Sequence, residues 1–400
     1  FELASVQFPG ERLHTLSDTW QTLNQTLLQH EYFGGALRQR GFLKDVARSI
    51  PASPDTALRA AAACDWVRQR MKWNGTETKY VETSLKKAFD AHTGNSADLN
   101  LLLVALLREA GLEAAPVILS TRDHGRVMDW HAQLAKFNYV VAAARVGNGW
   151  LLLDATDPVG KPGVLPLRCL NGKGWLVSET EADFVSLAPT ERHVENVVLT
   201  LGLDAEGGLK GLADLSHGGY AGSVVRRQLL SDGPEKYILS FGKTRPSWEF
   251  TKLDVTTLDD LSQPVGLRCD VRIAESVQAA GGRMYFKPLL TEGETANPFR
   301  LAERKFPVDF AAPINQNFTA VYTLPEGYVV EELPQKAVLA LPDNAGRFTY
   351  VVAANGNQVQ VTSRIAINKT LFMPDEYPLL KTFFDKIVAK HAEQVVLKKQ

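Results

Sequence analysis

The sequence predicts an α+β fold in its first half, a helix buried on nearly all sides packed on short strands, followed by a mainly β half. Three observations carry this. Residues 96–110, SADLNLLLVALLREA, are apolar around most of a helical circumference. Short apolar runs follow at 115–119, 137–144 and 150–153, separated by polar or glycine-containing segments, which reads as three strands against that helix. After about residue 190 the pattern alternates with period two, as in Val359, Val361, Ile365 and Ile367.

Element by element, Leu13, Leu16, Trp20, Leu23, Leu27 and Leu28 recur at three- and four-residue intervals and predict an amphipathic helix that ends at Gly34-Gly35. Residues 1–50 are read as a helical connector. Ser53 offers a cap and Pro54 a first helical position, and Ala60, Cys64, Val67 and Met71 continue at helical spacing, so 54–73 is predicted as a helix stopped at Asn74-Gly75. Gly111 stands where the buried helix needs a left-handed terminator. Asn355-Gly356 signals a hairpin between 347–353 and 358–367. Two helical insertions are expected within 221–241, and a last helix from about Asp375 places Leu380, Phe383, Phe384 and Ile387 on one face. The predicted domains are 51–188, an α+β core, and 189–400, a mainly β sandwich-like domain that ends in a helix and divides into subdomains near 300.

Composition bounds function. At 400 residues the chain exceeds one ordinary core, with 45% hydrophobic and 22% charged residues. No run reaches the roughly 20 apolar residues a membrane-spanning helix needs. Lys+Arg 44 against Asp+Glu 45 gives a net charge of -1, with no basic stripe for a phosphate backbone, so nucleic acid is not an expected partner. Cys64, Cys169 and Cys269 are far apart and form no CxxC pair, so spacing defines neither a zinc site nor a disulfide framework. The chain begins with Phe1, which leads us to expect that an upstream segment has been removed.

The most informative residues are Gly94-Asn95-Ser96-Ala97-Asp98 leading into the buried helix, PVILSTR at 116–122, FNYVV at 137–141 and LLLDATDP at 151–158. In this order they resemble the transglutaminase-like branch of the papain-type cysteine enzymes, over roughly 51–185. The resemblance implies an antiparallel sheet behind the helix. It also implies a cysteine at the helix start, a histidine within an F-N-H-like run and an aspartate at a strand end. Ser96 stands at the cysteine's position, Tyr139 at the histidine's, and only Asp154 matches.

In such a site the helix N-terminus favours a thiolate, the imidazole moves the proton and the carboxylate orients the imidazole. A serine hydroxyl is far less acidic than a thiol and needs a strong base beside it. A tyrosine near neutrality is protonated and would donate to Asp154 rather than take a proton from Ser96. Ser96 also suits a helix N-cap, Tyr139 a strand and Asp154 the position before a turn.

Other residues enter as candidates. His92, His124 or His131 could replace the missing base. Asn138, Arg122, Trp130 and His131 are candidate cleft residues, and Arg122, Arg126 and Trp130 of the 120–136 loop could hold a planar or anionic ligand. Trp130 and Tyr139 could be aromatic walls of a peptide or glycan groove. Asp154 and Asp157 alone do not make a calcium site, and neither a metal nor a cofactor is expected.

In the second half, NPFRLAERKFPVDF at 297–310, LPEGYVVEELP at 324–334 and the helix at Glu376-Tyr377 resemble the β-domain that follows the transglutaminase core in certain exported bacterial proteins. Those relatives carry a further β-domain before the core, which residues 1–50 are not expected to form. The resemblance implies a periplasmic or extracellular address. The expected function is a catalytically inactive transglutaminase-like protein that binds or scaffolds an unknown protein, peptide or glycan. The alternatives are a serine-dependent hydrolase or acyltransferase using Ser96 with a recruited histidine, and peptide or glycan binding in the degenerate cleft.

Overall fold

A computed structural model describes residues 19–400 and the backbone of two short paired segments, Ser5–Val6 and His14–Thr15. Leu13 and Leu16 lie outside the described residues. The chain divides into two compact units, Phe1–Thr190 and Glu191–Gln400.

In the first unit the amphipathic helix α1 is Trp20–Gln29, with Thr19 as its N-cap. It starts later than the leucine spacing predicts, because His14–Thr15 pairs as strand with Ser5–Val6. A π-turn at Glu31–Gly35 ends the segment at the expected glycines, and a short helix α2 covers Lys44–Ser49. Leu23, Leu27, Phe33, Leu37 and Leu43, from the stretch read as a connector, are buried in the core of this unit.

Helix α3 is Thr56–Arg70, and its N-cap is Asp55 rather than Ser53. The Asp55 carboxylate accepts from both Ala57 and Leu58 amides, while Ser53 Oγ only accepts from the Asp55 amide. Helix α4 is Leu85–Ala91 and helix α5 is Ser96–Glu109. From Ser96 to Leu107 every residue of α5 is buried, as the all-round apolar pattern demands. Gly111, at φ +78°, closes it.

Five antiparallel strands stand behind α5: β1 Ala114–Leu119, β2 Tyr139–Val146, β3 Gly149–Leu153, β4 Lys173–Leu176 and β5 Phe184–Ser186. Their order is β3-β2-β1-β4-β5. The first three are the predicted ones. The pairing of β2 with β3 sets Ala142 opposite Leu153, so the start of β2 and the residues just past β3 share one end of the sheet.

In the second unit the strands longer than two residues are β6 His193–Leu203, β7 Leu209–Gly218, β8 Trp248–Thr256, β9 Val265–Ile273, β10 Val277–Ala280, β11 Arg283–Phe286, β12 Ile314–Thr323, β13 Tyr328–Glu332, β14 Ala337–Ala340, β15 Gly346–Asn355, β16 Gln358–Ile367 and β17 Val395–Lys399. One sheet runs β8-β9-β7-β6-β12-β16-β15-β14 and another β10-β11-β17-β13. The predicted helical insertions are α6 Gly219–Asp232 and α7 Pro234–Lys243, and the last helix, α8, is Tyr377–His391.

The hairpin between β15 and β16 turns at Gly356, φ +58°. Strands β6 and β12, from either side of residue 300, pair directly, and one apolar core joins Leu199, Met284, Tyr322, Val361 and Leu397 across it. The chain ends in a strand and not in α8. Val395 and Leu397 are buried at alternate positions, which is the period of a half-buried strand.

Candidate functional site

The sheet end that carries Tyr139 and Asp154 is a closed hydrogen-bond network. The Tyr139 hydroxyl donates to Asp154 Oδ2 at 2.9 Å and lies 2.8 Å from Thr156 Oγ1. Thr156 donates from its own hydroxyl and its amide to Asp154 Oδ1, at 2.7 and 2.9 Å. Asn100, one helical turn beyond Ser96, donates from one amide nitrogen to Asp154 Oδ1 and to the Val140 carbonyl, at 3.0 and 2.9 Å. Its oxygen accepts from the Ala155 amide at 2.8 Å. This one side chain therefore locks α5 to the sheet end, with every group in the contact buried.

Arg168, carried by a single turn at Leu167–Cys169, closes the network from the other side. Its Nη2 donates to Tyr139 at 3.0 Å and to Thr156 Oγ1 at 2.5 Å, and lies 3.5 Å from Asp154 Oδ2. The guanidinium sits over the Trp73 ring at 4.6 Å, and its Nε is 3.6 Å from Glu77 Oε1, an ion pair without a hydrogen bond. Burial opposes the Arg168 charge, but Asp154 and Tyr139 outweigh it and raise the pKa above the usual arginine value. Burial, reinforced by the Asp154 charge, lifts Tyr139 well above the ordinary phenol range.

Ser96 belongs to a different set of bonds. It is fully buried, and it is the first residue of α5 rather than the N-cap. The cap is Asn95, whose side chain accepts from the Asp98 amide at 2.8 Å while the Asp98 carboxylate accepts from the Asn95 amide at 2.9 Å, a reciprocal capping box. Gly94 makes room for it, since a Cβ there would fall 2.5 Å from the Asp98 Cβ.

Ser96 Oγ donates to the Thr78 carbonyl at 2.7 Å and accepts from the Thr78 amide at 2.8 Å, and its own amide donates to Thr76 O. The segment 74–84 thus crosses the start of α5 like a strap. It is pinned by Asn95 Nδ2 to Tyr80 O, by the Glu82 amide to Asp98 and by Lys79 Nζ to Phe137 O.

The remaining candidates are placed elsewhere. Asn138 is half-buried, and its side-chain amide accepts from the Thr121 backbone amide and donates to Thr121 Oγ1, fixing the turn after β1. Arg122 holds the 167–170 turn through the Arg168 and Leu170 carbonyls. Trp130 is 78% exposed, whereas Tyr139 is fully buried, so the two are not opposite walls of one groove. His131 is half-buried. His92 ends α4 with φ +54°, its side chain exposed. The His124 ring is at Ala135 O, 3.3 Å away. Both hydrogen bonds of Ser96 Oγ go to Thr78, so the hydroxyl already has a donor and an acceptor partner without an imidazole.

Cys169 Sγ lies 3.9 Å from Asp154 Oδ2, and Cys64 Sγ 4.0 Å from the Asp154 carbonyl. Burial raises Cys169 well above the ordinary thiol value and pushes Cys64 up to about 12, so neither supplies a thiolate near neutrality. Among the described residues no group of three His, Cys, Asp or Glu could hold a metal ion.

Residues 44–155 match the transglutaminase-like superfamily. The chain carries a transglutaminase-like core. Residues 282–397 match a domain of unknown function with solved structure, DUF3858. Among solved structures, a protein of Parabacteroides distasonis ATCC 8503 provisionally named a protease superposes with TM-score 0.53 at 13% identity, over 96% of this chain and 59% of that one. A provisionally named cysteine protease of Cytophaga hutchinsonii shares 16% identity, with TM-score 0.25, over 37% of this chain and 47% of that one. At such identities the first likeness is one of fold, and the second carries no further weight. The chain spans less than two thirds of the length of either protein. No curated protein matches the chain.

Of the three residues that the resemblance singles out, the structure joins Tyr139 to Asp154 and bonds Ser96 to Thr78 instead. Sequence reasoning missed Arg168, Glu77 and the strap residue Thr78, which no local pattern connects to Ser96 or Tyr139. Thr156 and Asn100 stood inside the quoted motifs, and their spacing to Asp154 and Ser96 was the available signal.

Proposed function

We propose that the chain is a catalytically inactive transglutaminase-like protein with a binding or scaffolding role. The observation that carries this is the direction of one hydrogen bond: Tyr139 donates to Asp154, and its oxygen accepts from Arg168. A general base must accept a proton from the nucleophile, and a phenol that holds its own proton to well above the ordinary range is no base near neutrality. The engagement of Ser96 Oγ with the Thr78 backbone supports the same reading. Assays of amine incorporation and of amidase activity, run on the natural chain beside Ser96→Ala, test it. Equal background rates are expected, and turnover that vanishes in Ser96→Ala defeats the proposal.

An exported, periplasmic or extracellular address is proposed with it, on the resemblance of residues 297–310 and 324–334 and the helix at Glu376-Tyr377 to the β-domain of certain exported bacterial proteins. Recovery of the full-length gene product in the cytosolic fraction of its native cells contradicts that address. No helix among the described residues is long and apolar enough to cross a membrane.

A further inference from the structure

In β12, β15 and β16 alternate residues such as Phe318, Tyr322, Phe348 and Val361 are buried in the core of the second unit. The residues between them, among them Asn315, Asn317, Arg347, Thr349, Thr362 and Arg364, face the other way and line an open cavity of about 740 Å³. The register sets Arg364 opposite both Thr349 and Asn317, and Arg347 opposite Ala366. Arg347 and Arg364 are therefore diagonal neighbours on adjacent strands, roughly 7–8 Å apart at the backbone.

Both arginines are exposed, and no described side chain forms a hydrogen bond or ion pair with either guanidinium. Arg192, beside them, reaches the amide oxygens of Asn315 and Asn368, at 3.4 and 3.0 Å, and not a carboxylate. No Asp or Glu lines the cavity. Like charges placed diagonally on a sheet without a counter-charge are unfavourable for the folded chain, and an anionic ligand relieves them.

We propose that this face of the second unit binds an acidic oligosaccharide, with uronate-type carboxylates on Arg347 and Arg364. Thr349, Thr362 and Gln360 each present a donor and an acceptor, and Asn315 keeps its Nδ2 and Asn317 its Oδ1 beside their bonds to Arg192 and Asn196, which suits a ligand whose hydroxyls both donate and accept. Strand β16 is paired on both sides, so a peptide cannot join here as an added strand. No aromatic side chain lines the cavity to stack a nucleic-acid base. The site is independent of what Ser96 does.

The test is calorimetric titration of the full chain with hexagalacturonate, with a neutral hexasaccharide and with a hexaglutamate peptide. Hexagalacturonate is expected to bind at least about tenfold more tightly than either control, and Arg347→Ser with Arg364→Ser to weaken it by about tenfold or more with no loss of thermal stability. Absence of hexagalacturonate binding, a control ligand that binds as tightly, or a smaller loss in the double variant overturns the proposal.

Discussion

At the scale of single residues, Tyr139 is proposed to stand where the family's imidazole would, and its hydroxyl is spent on Asp154. Removing it in Tyr139→Phe leaves a buried carboxylate short of one donor. This should lower unfolding stability by about 1–3 kcal/mol in a urea titration. Restoring both reactive groups, Ser96→Cys with Tyr139→His, should recover at most weak turnover in the amidase assay, because the strap still covers position 96 through Thr78. The Tyr139–Asp154 bond was legible in the sequence, since a tyrosine keeps its proton near neutrality and donates it in a hydrogen bond to a neighbouring carboxylate. Arg168 was not, for its role depends on a turn that tertiary packing brings back over Trp73 and Glu77.

At the scale of elements, the start of α5 is held by the Asn95–Asp98 box and by the strap. Asn95→Ala should cost about 1 kcal/mol or somewhat more, since Nδ2 also holds Tyr80 O, and Asn95→Ser should restore much of it, as read by the urea midpoint. The buried helix, β1 to β3 and the hairpin at Gly356 were legible because their periods and turn residues are local. Strands β4 and β5 were not, because four- and three-residue strands containing Lys173-Gly174 and a lone Phe184 carry too short a pattern to show a period. The helix caps were misread for a related reason. Ser53 and Ser96 are both acceptable caps, and the choice of Asp55 and Asn95 is made by bonds to amides two and three residues on.

At the scale of the molecule, each unit closes its own core, and the second holds an acid-sensitive group. His391 is buried against Phe348 and Tyr350, its Nδ1 accepts from the Glu294 amide at 2.9 Å, and its Nε2 contacts Ser363 Oγ at 3.0 Å. With Nδ1 accepting, the neutral ring carries its proton on Nε2 and donates to Ser363, the wrong tautomer for a serine base. Burial pushes His391 down to about 4. The unfolded chain then binds the extra proton between the ordinary histidine value and about 4, so stability is full above that window and falls as pH drops through it. Unfolding stability should fall by roughly 2 kcal/mol from this group between pH 7 and pH 5, and the fall should shrink in His391→Gln. The lowered pKa of buried His217 acts in the same direction.

The ionisation of Tyr139 itself tests the central claim most directly, followed by NMR of ring-carbon-labelled tyrosine with Tyr139→Phe to assign the signal. The bond to Asp154 and the burial of the ring predict a phenol that stays protonated through pH 10 in the folded chain. A Tyr139 signal that titrates near neutrality would mean that the side chain can act as a base after all, and would contradict the assignment of this core as catalytically silent.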